Sequence, residues 1–340
     1  MKWTEEEIET LRDNFQDLSY HELNELLVNR SLGAIKNMAW KLGLKKTPKV
    51  TMEPKLSIDA TGEQLFLDAI SHSINRRELH DPLNEITAEF KIEDYPFGII
   101  LVVTSDWHLG NINTDYGMLK NDLDIIDSVP DAFAVMVGDV IDNFKPVGTP
   151  LGGQHEALYT LQEQKKMASY LFKRYGENFI GIFMGCHDHW SYKIDGWDIT
   201  ETYSEDILGS TLGHGGYLNI VVGDVMYKIY ARHKYRYNSS LNLTHSVKKM
   251  HDEHGPFDIG ILAHHHAPAF EVCEKQGKKF LAICNGTYKG IDDYARKIGY
   301  REGTIGCTAI YLSPDRKAAV PFSRLEDAVI YLKGNIGDNK

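Results

Sequence analysis

Residues 98–108 read GIILVVTSDWH, an unbroken apolar run that leads directly into an aspartate and a histidine. The run has the length of one strand and is typical of a buried strand. Helices are expected to alternate with strands of this kind, which favours an α/β sandwich with the helices outside. The stretch therefore predicts an α/β fold, with Asp106 and His108 just beyond the carboxyl end of a buried strand.

The same arrangement recurs four times further along the chain. An apolar run precedes each of four more clusters of Asp, His or Cys, at residues 138–139, 185–188, 232–233 and 264–266. In open α/β sheets, side chains just past the carboxyl ends of the strands share one crevice, even when they are far apart in sequence. We therefore expect all five clusters to converge on a single site.

The residue types in these clusters indicate the chemistry of that site. Carboxylates and neutral imidazoles are ligands for divalent ions such as Mn, Fe and Zn. Two such ions roughly 3.5–4 Å apart can activate water and stabilise both the attacking and the leaving oxygen of a phosphoryl displacement. One carboxylate must then be shared by both ions, and Asp139 is our candidate. The order of clusters indicates a two-metal phosphoesterase.

Over residues 97–313 the clusters resemble the calcineurin-like metallophosphoesterases, whose pattern runs D-x-H, G-D-x-x-D, G-N-H-D/E, H and G-H-x-H. The resemblance implies an αββα sandwich of two packed mixed sheets flanked by helices, and two divalent ions, with manganese preferred over zinc or iron. The first ion would take Asp106, His108 and His266, the second His233, His264 and Cys186, and Asp139 would bridge them. His187 matches the family's general acid, and Asp142 matches a carboxylate that orients this histidine.

The chain departs from that pattern most clearly at Cys186, where the family has an Asn that binds the second metal. One interpretation is a thiolate ligand, which would favour Zn or Fe at that position. The other is a tolerated substitution in which Cys186 packs and water completes the coordination. Asn143 replaces an Arg of the protein-phosphatase branch, which weakens the case for a Ser/Thr protein phosphatase. Asp188 is expected to support its own loop.

Residues 1–47 predict a separate all-α domain of three short helices. The S/T-x-x-E capping box occurs at Thr4 and again at Ser19, and Ser31 can cap a third helix. Three such helices make a helix-turn-helix unit. The segment resembles the Myb/SANT-like modules, which often carry an early Trp-Thr-x-x-Glu, here Trp3 to Glu7.

The third of these helices has the charge expected of a DNA-binding element. Residues 26–52 contain no acidic side chain, and their cations suit a phosphate backbone. The candidate DNA contacts are Arg30, Lys36, Asn37, Trp40, Lys41, Lys45 and Lys46, with Lys36, Asn37, Trp40 and Lys41 expected to be exposed. The alternative is that the same unit docks onto a protein partner.

Residues 48–60, which contain Pro48 and Pro54, predict a linker, and residues 61–340 predict the phosphoesterase domain. The chain has no apolar stretch long enough to cross a bilayer, begins without a secretory signal, and has four cysteines without close metal spacing. We therefore expect a cytoplasmic protein without a membrane partner. The oligomeric state, including a homodimer, stays open.

The leading functional hypothesis is a DNA phosphodiesterase or nuclease, similar to phage-encoded metallophosphoesterases, that is delivered by its N-terminal module. The formal charge of −11 argues against broad nucleic-acid binding by the catalytic domain, although Arg232–Arg236 adds positive charge beside the site. Tyr235 and Tyr237 could stack a nucleobase or pack in the sheet. The alternatives are a phosphomonoesterase or small-nucleotide phosphodiesterase, and a DNA-binding regulator with an inactive phosphoesterase domain.

Overall fold

The computed structural model describes residues 3–52, 66–67, 84–144, 156–196, 198–292, 296–297, 299 and 305–337. Two mixed β-sheets pack face to face, and helices cover the outer face of each sheet. One apolar core fills the space between the sheets, and a second lies between the smaller sheet and its helices. The fold class predicted from the sequence, two packed mixed sheets flanked by helices, is confirmed.

The larger sheet has seven strands among the described residues. In spatial order they are β1 (Lys49–Met52), β2 (Asn84–Phe90), β7 (Gly215–Val222), β8 (Val225–Arg232), β9 (Ile259–Leu262), β11 (Lys278–Cys284) and β10 (Ala269–Lys275). Strands β8 and β9 are parallel neighbours, so their carboxyl ends lie at the same edge of the sheet. His233 follows the end of β8 directly, and residues 264–266 follow the end of β9.

The smaller sheet has six strands in the described part of the chain. In spatial order they are β13 (Ala319–Phe322), β12 (Thr308–Leu312), β3 (Ile99–Thr104), β4 (Ala132–Val137), β5 (Phe179–Phe183) and β6 (Ser210–Thr211). Strands β3, β4 and β5 are parallel, so the other three clusters also lie at one edge. The sandwich thereby brings the ends of five strands together.

Helices precede, connect and follow these strands. They are α1 (Glu5–Asn14), α2 (Tyr20–Leu26), α3 (Leu32–Lys41), α4 (Tyr116–Ser128), α5 (Leu161–Tyr175), α6 (Asp188–Asp195), α7 (Ile199–Ser204), α8 (His245–Glu253) and α9 (Leu325–Gly337). None of the helices in the described ranges is long and apolar enough to span a bilayer.

Strand β3 shows why the run at residues 99–104 is apolar throughout. Ile99, Leu101 and Val103 point into the core between the two sheets. Ile100 and Val102 point the other way, into the core beneath the helices. Because successive side chains of a strand face opposite sides, a strand that is covered on both sides cannot alternate with polar residues.

The first three helices begin where the sequence predicts. Thr4 and Ser19 each form a complete capping box, with Glu7 and Glu22 respectively, and Ser31 caps α3 through the backbone N–H of Ala34. The helices enclose a small core of their own, which contains Leu11, Phe15, Tyr20, Leu23, Leu27, Ile35 and Ala39. The three capped helices therefore arise from local sequence signals.

Helix α3 contacts the β-sandwich through a buried ion pair. The Lys36 side chain is fully buried, and its Nζ lies 3.0 Å from Oδ1 of Asp131, the residue just before β4. Trp40 Nε1 donates to the other oxygen of the same carboxylate, at 3.1 Å. Lys45 Nζ donates to the Ala132 carbonyl at 2.5 Å and to Asn178 Oδ1 at 2.6 Å. The helical module is thus anchored to the start of β4.

These contacts correct the expected exposure of the N-terminal cations. Lys36 is buried, Trp40 is half-buried, and burial lowers the pKa of Lys45 to about 7. Lys46 Nζ donates to the Leu18 carbonyl at 2.6 Å, and Arg30 pairs with Glu7 at 2.7 Å. Of the other two candidate DNA contacts, Asn37 is half-buried and Lys41 is exposed. Most of these N-terminal cations bind partners elsewhere in the chain. The spacing of residues in the sequence does not reveal such partners.

The first part of the predicted linker also needs correction. Residues 49–52 form β1, which pairs antiparallel with β2 at the edge of the larger sheet. Residues 53–60 of that linker lie outside the described residues. A polar, proline-flanked segment can still add a strand to a sheet edge, because pairing there uses backbone groups and needs no apolar pattern.

We expect Asp131→Asn to lower the free energy of unfolding by about 3–5 kcal/mol, because it leaves the buried Lys36 ammonium unpaired. The double variant Lys36→Met with Asp131→Asn should recover most of this loss. Lys41→Met, on the exposed side of the same helix, is the matched control and should change stability by less than about 0.5 kcal/mol. Urea titrations provide the measurement, and an equal effect of Lys41→Met and Asp131→Asn would contradict the buried ion pair.

Candidate metal centre

The loops that follow the strands are joined to one another by backbone hydrogen bonds. The Asp106 N–H donates to the Gly138 carbonyl at 2.9 Å, and the His108 N–H donates to the Asp139 carbonyl at 3.1 Å. From the next loop, the His187 N–H donates to Oδ1 of Asp139 at 2.8 Å. From the larger sheet, the His264 N–H donates to Oδ2 of Asp106 at 3.3 Å. Four of the five sequence clusters therefore meet at one place.

Several residues of this centre have a left-handed backbone. Positive φ angles are found at Asp106 (51°), His108 (45°), Asp139 (55°), His264 (71°) and His266 (53°). This conformation is uncommon for residues with a Cβ and carries a free-energy cost, and such residues concentrate at functional sites. The backbone is bent so that these five side chains turn toward a common point.

One group of ligand atoms contains Asp106, His108 and His266, whose donor atoms all lie within 4.8 Å of one another. His266 Nε2 lies 3.0 Å from Asp106 Oδ1 and 3.3 Å from His108 Nε2. His108 donates through Nδ1 to Oδ1 of Asp142 at 3.0 Å, so in the neutral ring Nε2 carries the lone pair. Burial and the nearby His187 lower the pKa of His108 well below its usual value, which favours that neutral ring.

A second group contains Cys186, His233 and His264, and a third contains Asp106, Asp139 and His233. His233 Nε2 lies 3.0 Å from Oδ2 of Asp139, and the same oxygen lies 3.9 Å from His108 Nε2. Asp139 thus stands between the two sets of ligands. This is the position required of a carboxylate that two cations share.

The charges of the centre fit a bound divalent cation. Asp106 and Asp139 are both fully buried, and two buried carboxylates side by side need compensating positive charge. Although burial opposes it, the charges of Asp139 and Asp106 raise the pKa of His233 well above its usual value. His233 donates through Nδ1 to the Val137 carbonyl at 2.8 Å, which directs Nε2 toward the carboxylates. The donor set and the charge at this point suit a metal ion.

Two glycines allow the loops after β4 and β5 to approach so closely. A Cβ on Gly185 would lie 2.0 Å from the backbone nitrogen of Asp139, and one on Gly138 would lie 2.5 Å from Cα of Gly185. The buried carboxylate of Asp188 accepts hydrogen bonds from the backbone N–H groups of Gly185 (3.0 Å) and Asp139 (2.8 Å). Asp188 therefore supports the loop, as the sequence suggested.

The structure corrects the expected role of Asp142. Its carboxylate contacts Nδ1 of His108 and accepts from Asn111 Nδ2 at 3.0 Å, so it orients a metal-ligand candidate. Nδ1 of His187 instead lies 2.6 Å from the backbone carbonyl of Asp142. The expectation that the Asp142 side chain orients His187 was wrong, because the turn presents its carbonyl and its carboxylate to different rings.

Several residues around these histidines were missed by sequence reasoning. Asn111 and Lys289 surround the Asp142 carboxylate, with Lys289 Nζ at 3.9 Å. Asn143 donates through Nδ2 to the His187 carbonyl at 2.5 Å. The Trp190 ring lies against the His187 ring, with centroids 4.0 Å apart. The sequence analysis noted Asn143 as a departure from the protein-phosphatase pattern but did not predict its contact with His187.

No family model and no curated protein matches the sequence. Among solved structures, the chain is similar to vacuolar protein sorting 29 from Cryptosporidium parvum (16% identity, TM-score 0.37, covering 67% of this chain and 100% of that one). It is also similar to a metallophosphoesterase from Sphaerobacter thermophilus (13% identity, TM-score 0.33, covering 71% and 98%). A predicted phosphoesterase from Streptococcus pneumoniae shares 15% identity at a TM-score of 0.31, with 66% and 98% covered. TM-scores this low leave the activity to be argued from the site itself.

Gly185→Ala should weaken metal binding and lower the melting temperature, because the new methyl group would force the loop away from Asp139. The matched control is Gly334→Ala, where an added Cβ meets nothing within 4 Å and α9 continues on both sides. This control should leave metal binding unchanged. Calorimetric titration with Mn²⁺ and thermal unfolding measure both effects, and wild-type metal affinity in Gly185→Ala would contradict the close loop contact.

Proposed function

We propose that this chain is a phosphoesterase of the calcineurin-like type that uses two divalent metal ions. The observation that carries the proposal is the place of Asp139, whose Oδ2 lies 3.0 Å from His233 Nε2 and 3.9 Å from His108 Nε2. A fully buried carboxylate between two groups of candidate metal ligands is what a shared metal ligand requires. The ordered motifs of the sequence support the same conclusion.

Asp106, His108 and His266 would hold one ion, and His233, His264 and Cys186 the other, with Asp139 between them. When bound, such ions supply Lewis acidity toward phosphoryl oxygens and activate a nucleophilic water. The protein prepares His264 for coordination in advance. Burial and the neighbouring His233 lower the pKa of His264 to about 3, so its ring is neutral and able to coordinate.

His187 is placed to give a proton to the leaving alkoxide. Its Nδ1 donates to the Asp142 carbonyl at 2.6 Å, which leaves Nε2 as the atom that can exchange a proton with substrate. The ring cannot turn freely, because Trp190 packs against it and the Phe144 ring stands edge-on with centroids 5.2 Å apart. A fixed ring keeps this proton donor beside the carboxylates that bind the metals.

The substrate that we propose is a phosphate ester. Its hydrolysis does not require α3 to deliver DNA to the metal centre. Lys36 and Lys45 make their contacts inside the protein, so they do not supply the cationic helix face that motivated DNA delivery. Phosphate monoesters and diesters both suit a two-metal centre with a proton donor. DNA remains one of the diesters to be tested as substrate.

Asp139→Asn should abolish hydrolysis of bis-nitrophenyl phosphate in Mn²⁺ and reduce metal content, because it removes the shared charge.

His187→Gln should retain metal but lose about 10²–10⁴-fold in kcat on esters with alkoxide leaving groups. Its loss should be much smaller with nitrophenolate, which leaves readily without a proton. His21→Gln, an exposed residue of α2, is the control. An equal loss of kcat on both classes of ester would remove His187 from the acid role.

Cys186 offers a spectroscopic test of the second metal position. If its thiolate coordinates, the Co²⁺-loaded protein should show a sulfur-to-cobalt charge-transfer band that Cys186→Asn abolishes and Cys273→Ser, at a cysteine of β10, retains. The asparagine variant should also favour Mn²⁺ over Zn²⁺ more than the wild type does. An unchanged spectrum in Cys186→Asn would show that the thiol is not a ligand.

A further inference from the structure

A cavity of about 510 Å³ opens directly beside the second group of ligands. Its lining residues are Met184, Gly185, Cys186, His189, His214 and the segment 232–236. Cys186 and His233 belong both to the cavity wall and to a group of metal-ligand candidates. A molecule whose phosphate is bound at the metal centre would therefore extend into this cavity. Its volume lies in the usual range for small-molecule sites.

The cavity is positively charged. Three of its lining residues are the cations Arg232, Lys234 and Arg236, and none is acidic. Arg236 is neutralised by Glu253, at 2.7 Å. Lys234 is exposed and forms no ion pair with the residues that the structure describes. Two cationic side chains, Arg232 and Lys234, thus remain available to a ligand.

Arg232 is held in place rather than extended into solvent. Its side chain lies flat against Gly215, where an added Cβ would approach Arg232 Cγ to 2.5 Å and Nε to 2.9 Å. Nη1 donates to the Tyr230 hydroxyl at 3.1 Å, whereas Nε has no acceptor among the described residues. The guanidinium also lies 5.6 Å from the centre of the Tyr235 ring. A positioned guanidinium that lines the cavity suits the oxygens of a phosphate.

We propose that this cavity binds a second phosphate group of the substrate, next to the one that is hydrolysed. This inference rests on the proposed function and narrows it to esters that carry two phosphates. Arg232 and Lys234 would supply the two positive charges that match a phosphate dianion. The same chemistry is present in a small nucleoside bisphosphate and in successive phosphates of a nucleic-acid strand.

The test uses two probes that differ only in the second phosphate: the nitrophenyl ester of thymidine 5′-phosphate, with and without a 3′-phosphate. In Mn²⁺ the wild type should prefer the 3′-phosphorylated probe by about tenfold or more in kcat/KM, as expected for a charge-assisted contact. Arg232→Gln and Lys234→Gln should each remove most of this preference. Arg324→Gln, outside the cavity, should retain it.

Several outcomes can be told apart. Equal kcat/KM for both probes in the wild type overturns the second-phosphate site while leaving the phosphoesterase intact. No hydrolysis of either probe by metal-loaded protein overturns the proposed function itself. Lys234 is exposed, so Lys234→Gln tests the site even if Arg232→Gln fails to fold. If the preference is present in the wild type and unchanged in both variants, the cavity is not its source.

Inhibition then distinguishes the two sources of the second phosphate. Thymidine 3′,5′-bisphosphate and a short oligothymidylate are compared as competitors of the preferred probe. Tighter inhibition by the oligonucleotide, weakened by Arg232→Gln and by salt, identifies a nucleic-acid strand. Tighter inhibition by the bisphosphate identifies a small substrate. Inhibition by neither ligand would overturn the assignment of the cavity to a second phosphate.

Discussion

The rest of the centre depends on placing two carboxylates, Asp106 and Asp139, out of contact with water at the ends of β3 and β4. Burying like charges together is unfavourable unless positive charge and hydrogen-bond donors surround them. Backbone N–H groups of His187 and His264 supply part of that compensation. The imidazole of His233 supplies another part, and a bound cation would supply the rest. The two buried carboxylates therefore require compensating positive charge even in the absence of substrate.

The need to bury these two carboxylates also determines the backbone conformation of the loops that carry them. The carboxylates can be enclosed only if the loops after β4 and β5 touch, which is why glycine stands at 138 and 185 and why Asp139 takes a left-handed φ of 55°. The strain of these turns is offset by Asp188, whose carboxylate accepts from backbone N–H groups of both loops. The same contacts between the loops therefore determine both how the loops pack and where the metal ligands lie.

In the N-terminal helical module, cations that suggested a DNA partner bind groups inside the protein. Lys36 and Lys45 were expected to face DNA, yet they bind the Asp131 carboxylate and the Ala132 carbonyl, at the start of β4. The opposite end of that strand carries Asp139. The helical module thus anchors the strand that positions the shared carboxylate, which gives it a structural role independent of any nucleic acid.

The sequence by itself determined the features that arise from short-range patterns. These are the three capped helices, the buried strands, and the five clusters at strand ends, because capping, burial and strand termination each act over a few residues. Only the tertiary structure decided that the Asp142 carboxylate orients His108, that β1 joins the sheet edge, and that Lys36 is buried. Each of these depends on a partner from another segment, such as Asp131 for Lys36, and the free energy of a buried charge is set by the group that folding brings next to it.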